Sequence, residues 1–210
     1  MISSENYRAD PCAVLSIPYW KNKNITLPNN MKIVHDTKFS AAYLEEYTDE
    51  IYFRLYHALE NIPEIVLEDY EIVTATQNDM MAFVDIINRS YTDLAVTYEQ
   101  LEEYTKTEVY DPELWIGVRD TKTGKFVGCG IADYDREMKE LILEWIQVVP
   151  QYRGLKIGQL IVCELLARKK DIAEFATVSG KVNNMTDPEK LYRKCGFTGS
   201  DVWHILRKRS

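Results

Sequence analysis

The chain has 210 residues, 46% hydrophobic and 28% charged, which is ordinary for a globular protein and wrong for a disordered one. A net charge of −8 and a pI near 5.0 exclude the large basic field that a general nucleic-acid or anionic-membrane surface needs. They mildly favour cationic partners.

The first third carries Pro11, Pro18 and Pro28 and a short apolar stretch at 31–34, a pattern of two short strands or extended arms. From Ser40 the apolar residues Tyr43, Leu44, Tyr47, Ile51, Tyr52, Leu55, Tyr56 and Leu59 recur at three- and four-residue steps. That spacing predicts a helix ended by Pro63. Residues 70–76 are β-branched and aromatic and predict a strand. A helix with Asn78 or Thr76 near its cap follows, with Met80, Phe83, Val84, Ile86 and Ile87 on its inner face. Thr97-x-x-Gln100 is a capping box opening another helix.

Strands are then predicted at 114–118, 125–134 and 141–149, the first two flanking the turn signal Thr123-Gly124. A glycine-containing turn at 152–158 leads into a helix at 159–170, a strand at 174–179, a short helix around Leu191 and a strand at 202–206. Such alternation indicates an α/β or α+β sheet domain, with residues 1–69 packed on it as an extension.

The cysteines Cys12, Cys129, Cys163 and Cys195 form no C-x-x-C pair and have no histidine at metal-ligand spacing, so no metal is expected. The N-terminal residues lack the regions of a signal peptide, and no run approaches the roughly 18 to 20 apolar residues of a membrane span. The expectation is a cytoplasmic protein with reduced thiols and no membrane partner.

The segment richest in chemistry runs from Leu143 to Ile161: an apolar strand, a turn with two glycines and a basic pair, then a helix. Helix N-termini present unpaired N–H groups and the positive end of the dipole, so a turn converging there suits a phosphate. Arg168, Lys169 and Lys170 complement the opposite end. The spacing matches neither G-x-x-x-x-G-K-[ST] nor G-x-G-x-x-G.

Arg153-Gly154-Leu155-Lys156-Ile157-Gly158 resembles the acetyl-CoA pyrophosphate loop, Arg/Gln-x-x-Gly-x-Gly/Ala, of the GNAT superfamily of N-acetyltransferases. Lys156 stands where that loop usually has glycine. Leu191-Tyr192-Arg193-Lys194-Cys195-Gly196-Phe197 resembles the family's Leu-Tyr-x-x-x-Gly-Phe segment, in the family's order and at its usual distance. The resemblance covers about residues 70–208. It implies a mixed, mostly antiparallel twisted sheet with helices on both faces, and an acetyl-CoA-binding domain at 70–210 behind the N-terminal extension.

It further implies direct acetyl transfer from acetyl-CoA to a primary amine in a ternary complex, the acceptor being a small molecule or a peptide. The cofactor contacts would fall to Ile146, Gln147 and Val148 on the central strand, to Arg153, Gly154, Leu155, Lys156, Ile157 and Gly158 in the loop, and to Asn184. That asparagine lies one residue further from Tyr192 than the family's usual one, and Pro188 replaces the usual alanine. Tyr192 matches the tyrosine that protonates the leaving thiolate.

Glu144 alternates with Ile146 and is the candidate base, since a carboxylate within an apolar strand invites a raised pKa. Asp133 and Asp135 on the neighbouring strand are further candidates. Cys195 admits an acyl-enzyme, although a cysteine beside glycine is more often a small core residue. The stripe Tyr43, Tyr47, Tyr52, Tyr56 reads as a packing face, His204 as structural, and the acids around Asp93, Glu99, Glu102 and Glu103 as a helix face near the acceptor cleft. The rival readings are a non-catalytic acyl-CoA-binding module, or an acyltransferase using another acyl-CoA or a hydroxyl acceptor. Oligomeric state is not indicated.

Overall fold

The computed structural model describes residues 3–14, 27–90 and 95–209. In chain order they form α1 (Ser4–Ala9), β1 (Met31–His35), α2 (Tyr43–Glu46), β2 (Tyr47–His57), β3 (Tyr70–Thr74), α3 (Met80–Ser90), α4 (Tyr98–Tyr104) and β4 (Trp115–Asp120). There follow β5 (Phe126–Asp135), β6 (Glu140–Val148), α5 (Ile157–Lys169), β7 (Phe175–Lys181), α6 (Pro188–Lys194) and β8 (Thr198–Lys208). The fold is α+β and mostly antiparallel, as expected. The chain divides into two compact units, one of Met1–His57, Thr177–Arg193 and Phe197–Ser210, the other of Ala58–Ala176 and Lys194–Gly196.

In the first unit β8 lies between β1 and β2, antiparallel to both, with Ile33 opposite Ile205 and Tyr52 opposite Trp203. Residues read as an N-terminal extension therefore pair with the last strand of the chain. The helix expected from Ser40 onward is a correction: only Tyr43–Glu46 is helical, and Tyr47–His57 is β2. A step of four residues is two strand periods as well as roughly one helical turn, so Tyr47, Ile51 and Leu55 also share one face of a strand. Pairing with β8 decides the matter, and a segment rich in Tyr, Ile and Phe suits it.

Polar groups knit this unit. His204 is held between Asp49 at 2.8 Å and Asp36 at 3.2 Å and stacks on Phe39, the structural role expected of it. The buried Arg54 donates to the Pro11 carbonyl, the Tyr7 hydroxyl and the Thr177 hydroxyl.

In the second unit the strand order is β6-β5-β4-β3, all antiparallel. Both predicted helix starts hold: Thr76 and Asp79 form a reciprocal cap ahead of α3, and Thr97 with Gln100 caps α4. The two faces of the sheet carry different helices. Phe83 of α3 lies over Gly117, whereas Ile161 and Leu165 of α5 lie over Gly130. A Cβ at Gly130 would collide with Ile161, so the bare backbone there lets α5 approach the sheet closely. That seat fixes where α5 begins relative to the end of β6.

Candidate active site

β6 changes character midway. Leu141, Ile142 and Leu143 are buried, but Glu144 is exposed. Leu143 opposes Ala132 and Trp145 opposes Ile131, which makes Glu144 the extra residue of a β-bulge. The bulge takes its carboxylate out of the apolar row, so the burial expected of it is absent. Beyond the bulge the backbone directions can be followed. The Val149 N–H donates to the Val127 carbonyl, toward β5. Strand alternation then turns the Gln147 N–H toward β5 and those of Ile146 and Val148 away from it.

A 3₁₀ turn at Pro150–Tyr152 follows, and the Arg153 Nε donates to the Val148 carbonyl at 3.1 Å. Gly154 takes a left-handed φ of 83°, and a Cβ there would meet nothing within 4 Å. Lys156, the N-cap of α5, is also left-handed, at φ 65° and ψ 7°, with no side-chain cap bond. This explains why glycine is usual at its position: a non-glycine residue there costs about 1–2 kcal/mol. The strain lies in the backbone while the lysine side chain stays exposed.

The N–H groups of Ile157, Gly158 and Gln159 have no intrahelical acceptor by the geometry of a first turn. Open space over Gly154, an exposed Lys156 and these amides fit a diphosphate, as the resemblance requires of an acetyl-CoA loop. The structure thus brings Ile146, Gln147, Val148, Arg153, Gly154, Leu155, Lys156, Ile157 and Gly158 together along one strand–turn–helix segment.

Tyr192 and Asn184 belong to the first unit. Tyr192 is buried on α6, its ring 5.7 Å from that of Phe197 and 6.2 Å from that of Phe53. Asn184 spends its side-chain oxygen on its own turn, accepting from the N–H and hydroxyl of Thr186. Asp135 caps the β5–β6 turn through the Glu137 and Met138 N–H groups. Cys195 is fully buried beside Cys163, and their hydrogen bond together with burial pushes its thiol far up, which removes it as a nucleophile. Asp93 lies outside the described residues. The bulge at Glu144 carries no sequence signal, because register is set by the partner strand.

Residues 111–199 match the family model for the acetyltransferase (GNAT) domain. No curated protein matches the chain. Among solved structures, the chain is similar to a GCN5-related N-acetyltransferase from Sphaerobacter thermophilus at TM-score 0.69 and 20% identity, covering 85% of this chain and 58% of that one. It is also similar to an acetyltransferase of the GNAT family from Colwellia psychrerythraea, at TM-score 0.61 and 15% identity over 84% and 64% of the two chains. A third is the ribosomal-protein-S18-alanine N-acetyltransferase from Escherichia coli, at TM-score 0.53 and 18% identity over 65% and 91%. The chain spans little more than half the length of the Sphaerobacter protein. Residues 111–199 thus match the acetyltransferase (GNAT) domain, and the chain shares the fold of these GNAT structures.

Proposed function

We propose that the chain is an acetyl-CoA-dependent N-acetyltransferase acting on a primary amine of a small molecule or peptide. The observation that carries this reading is the turn from Arg153 to Gly158, where left-handed Gly154 and Lys156 join the end of β6 to a helix whose first amides lack intrahelical acceptors.

The loop amides and the Lys156 ammonium would hold the diphosphate. The Ile146 and Val148 N–H groups, turned away from β5, would donate to the acetyl oxygen as negative charge develops on it. Peptide groups serve there because preorganised dipoles need no special side chain. An alkylammonium, with a pKa near 10.4, must first lose a proton. Glu144, exposed at the bulge, takes it through water. The amine lone pair then forms the C–N bond as the C–S bond breaks. Tyr192 gives its phenolic proton to the thiolate and recovers one from the acylated nitrogen.

Titration of the purified protein with acetyl-CoA and with CoA, read by thermal unfolding, tests the reading. Ligand at about a hundred times Kd stabilises by roughly 2.7 kcal/mol, so micromolar binding produces a clear, saturable rise in Tm. An amine panel assayed for released thiol should then show turnover, with Tyr192→Phe lowering kcat about a hundredfold while the CoA affinity stays the same. Absence of a saturable shift at millimolar acetyl-CoA overturns the proposal.

A further inference from the structure

The 3₁₀ turn at Asp36–Lys38, where the chain leaves β1, is fastened by two histidines with different needs. At Nδ1, His35 accepts from the Thr37 N–H at 3.3 Å and faces the Thr37 hydroxyl at 2.9 Å, while its Nε2 lies 3.1 Å from Asp201. One ring proton, on Nε2, suits all of these contacts. His204 instead has a carboxylate at each ring nitrogen, Asp49 at 2.8 Å from Nδ1 and Asp36 at 3.2 Å from Nε2. An ionised carboxylate only accepts, so both contacts are hydrogen bonds only when the ring carries two protons.

Two further observations call for the charged ring. The other oxygen of Asp49, Oδ1, is buried and has no partner among the described residues, which leaves His204 to balance that carboxylate. A buried charge without a partner is costly. Phe39 stacks on the imidazole at 3.8 Å and 13°, a contact that a cation strengthens. The neighbouring cations are occupied or outside. Lys32 lies on the same face, two residues before Val34, which opposes His204, and holds its ammonium over the Tyr47 and Tyr43 rings at 4.7 and 5.1 Å. Lys38 of the turn is exposed, and β8 adds only Val202 and Leu206 to that face.

We propose that this is a proton-operated clasp: the His204 imidazolium ties the Asp36–Phe39 turn to β2 and β8, and loss of one ring proton unties it. The remaining proton stays on Nδ1, against the nearer and better buried Asp49. The bare Nε2 then faces the Asp36 carboxylate, lone pair against lone pair, and Asp36, whose side chain is 64% exposed, turns to water. The charged ring makes one more hydrogen bond in the fold than the neutral ring, so raising the pH costs stability. The clasp stands whether or not the chain transfers acetyl groups.

Nitrogen NMR of the histidine rings in the full chain at pH 7 tests it. His204 should show two protonated nitrogens while His35 shows a bare Nδ1 in the same spectrum. Urea unfolding between pH 6.5 and 9 gives a second reading. In Asp36→Asn, an exposed change, the side-chain amide donates to a bare Nε2, so that contact no longer needs the second proton. Relative to this variant, the wild-type folding equilibrium constant should fall about tenfold across the range, the worth of one charge-assisted hydrogen bond. A bare nitrogen on His204 at pH 7, or a ratio of the two proteins that does not move with pH, overturns the proposal.

Discussion

At its C-terminal end α5 closes on charge. Lys169 is 4% exposed, with its ammonium 2.7 Å from Asp111 and 3.0 Å from Glu113, and Arg168 reaches Glu164, the Thr74 hydroxyl and the Glu113 carbonyl. At its N-terminal end the residues from Arg153 to Lys156 are exposed, the capping lysine makes no side-chain bond, and the first amides lack acceptors within the helix. One end is satisfied by the protein and the other is left for something else. The difference teaches how a helix end can be held in place from afar: the helix is fixed by its far end and by its contact with Gly130. On the proposed function, the donors at the near end are therefore aligned before a ligand arrives and cost little further ordering.

If that division is right, damage at the closed end changes stability and leaves cofactor affinity alone. Asp111→Asn keeps an acceptor for the Glu113 N–H but strips the charge nearest Lys169. The buried ammonium is then left with Glu113, whose side chain is 70% exposed. Loss of about 3 kcal/mol is expected in chemical denaturation, with the CoA Kd unchanged within about twofold. Burial opposes the charged form of Lys169, but the bonds to Asp111 and Glu113 outweigh it and hold its pKa above the ordinary 10.5. Its contribution is therefore present in full below pH 10.5 and fades as the pH rises through the higher folded value. The gap between wild type and Asp111→Asn should close at alkaline pH. A constant gap would mean that the loss comes from the turn and not from the charge.

The middle of the helix joins the two regimes. In Gly130→Ala the new methyl collides with Ile161 and comes within 3.1 Å of Leu165, so α5 must shift outward. About 1–3 kcal/mol should be lost, read as a lower urea midpoint at unchanged slope. CoA affinity should fall as well, because the displaced helix carries the donors with it. A variant that loses stability but binds CoA normally would break the link between seat and site.

These contrasts also mark what the amino-acid order reveals. The loop and the Leu191–Phe197 segment are legible because their constraints are local: a tight turn, a helix start, a required glycine. The capping boxes at Thr76 and Thr97 are legible for the same reason. What is not legible depends on partners far along the chain. Tyr47–His57 becomes a strand because β8 pairs with it, and a four-residue step suits either structure. Glu144 leaves the apolar row because of a register shift against β5, and Asp135 is spent on a turn. Sequence thus shows the strand–turn–helix segment proposed to bind, while the side chains proposed to act beside it depend on register.

Lys156 tests the open end most finely, because two effects of similar size oppose there. Lys156→Gly removes the left-handed strain of about 1–2 kcal/mol but adds freedom to the unfolded chain worth about 0.5–1 kcal/mol. Stability should therefore rise by no more than about 1.5 kcal/mol, a small increase in Tm. Affinity should move the other way. The substitution removes an exposed ammonium at the helix N-terminus, a screened contact worth a fraction of a kcal/mol to about 1 kcal/mol, so the CoA Kd should rise about threefold at low salt. The two proteins should converge at high ionic strength, where the Debye length is only a few ångströms. Higher stability with unchanged affinity at every salt concentration would show that the backbone amides alone hold the diphosphate and that the lysine side chain turns away. Opposite signs in the two measurements would show that the chain keeps a strained residue at this turn because its charge binds.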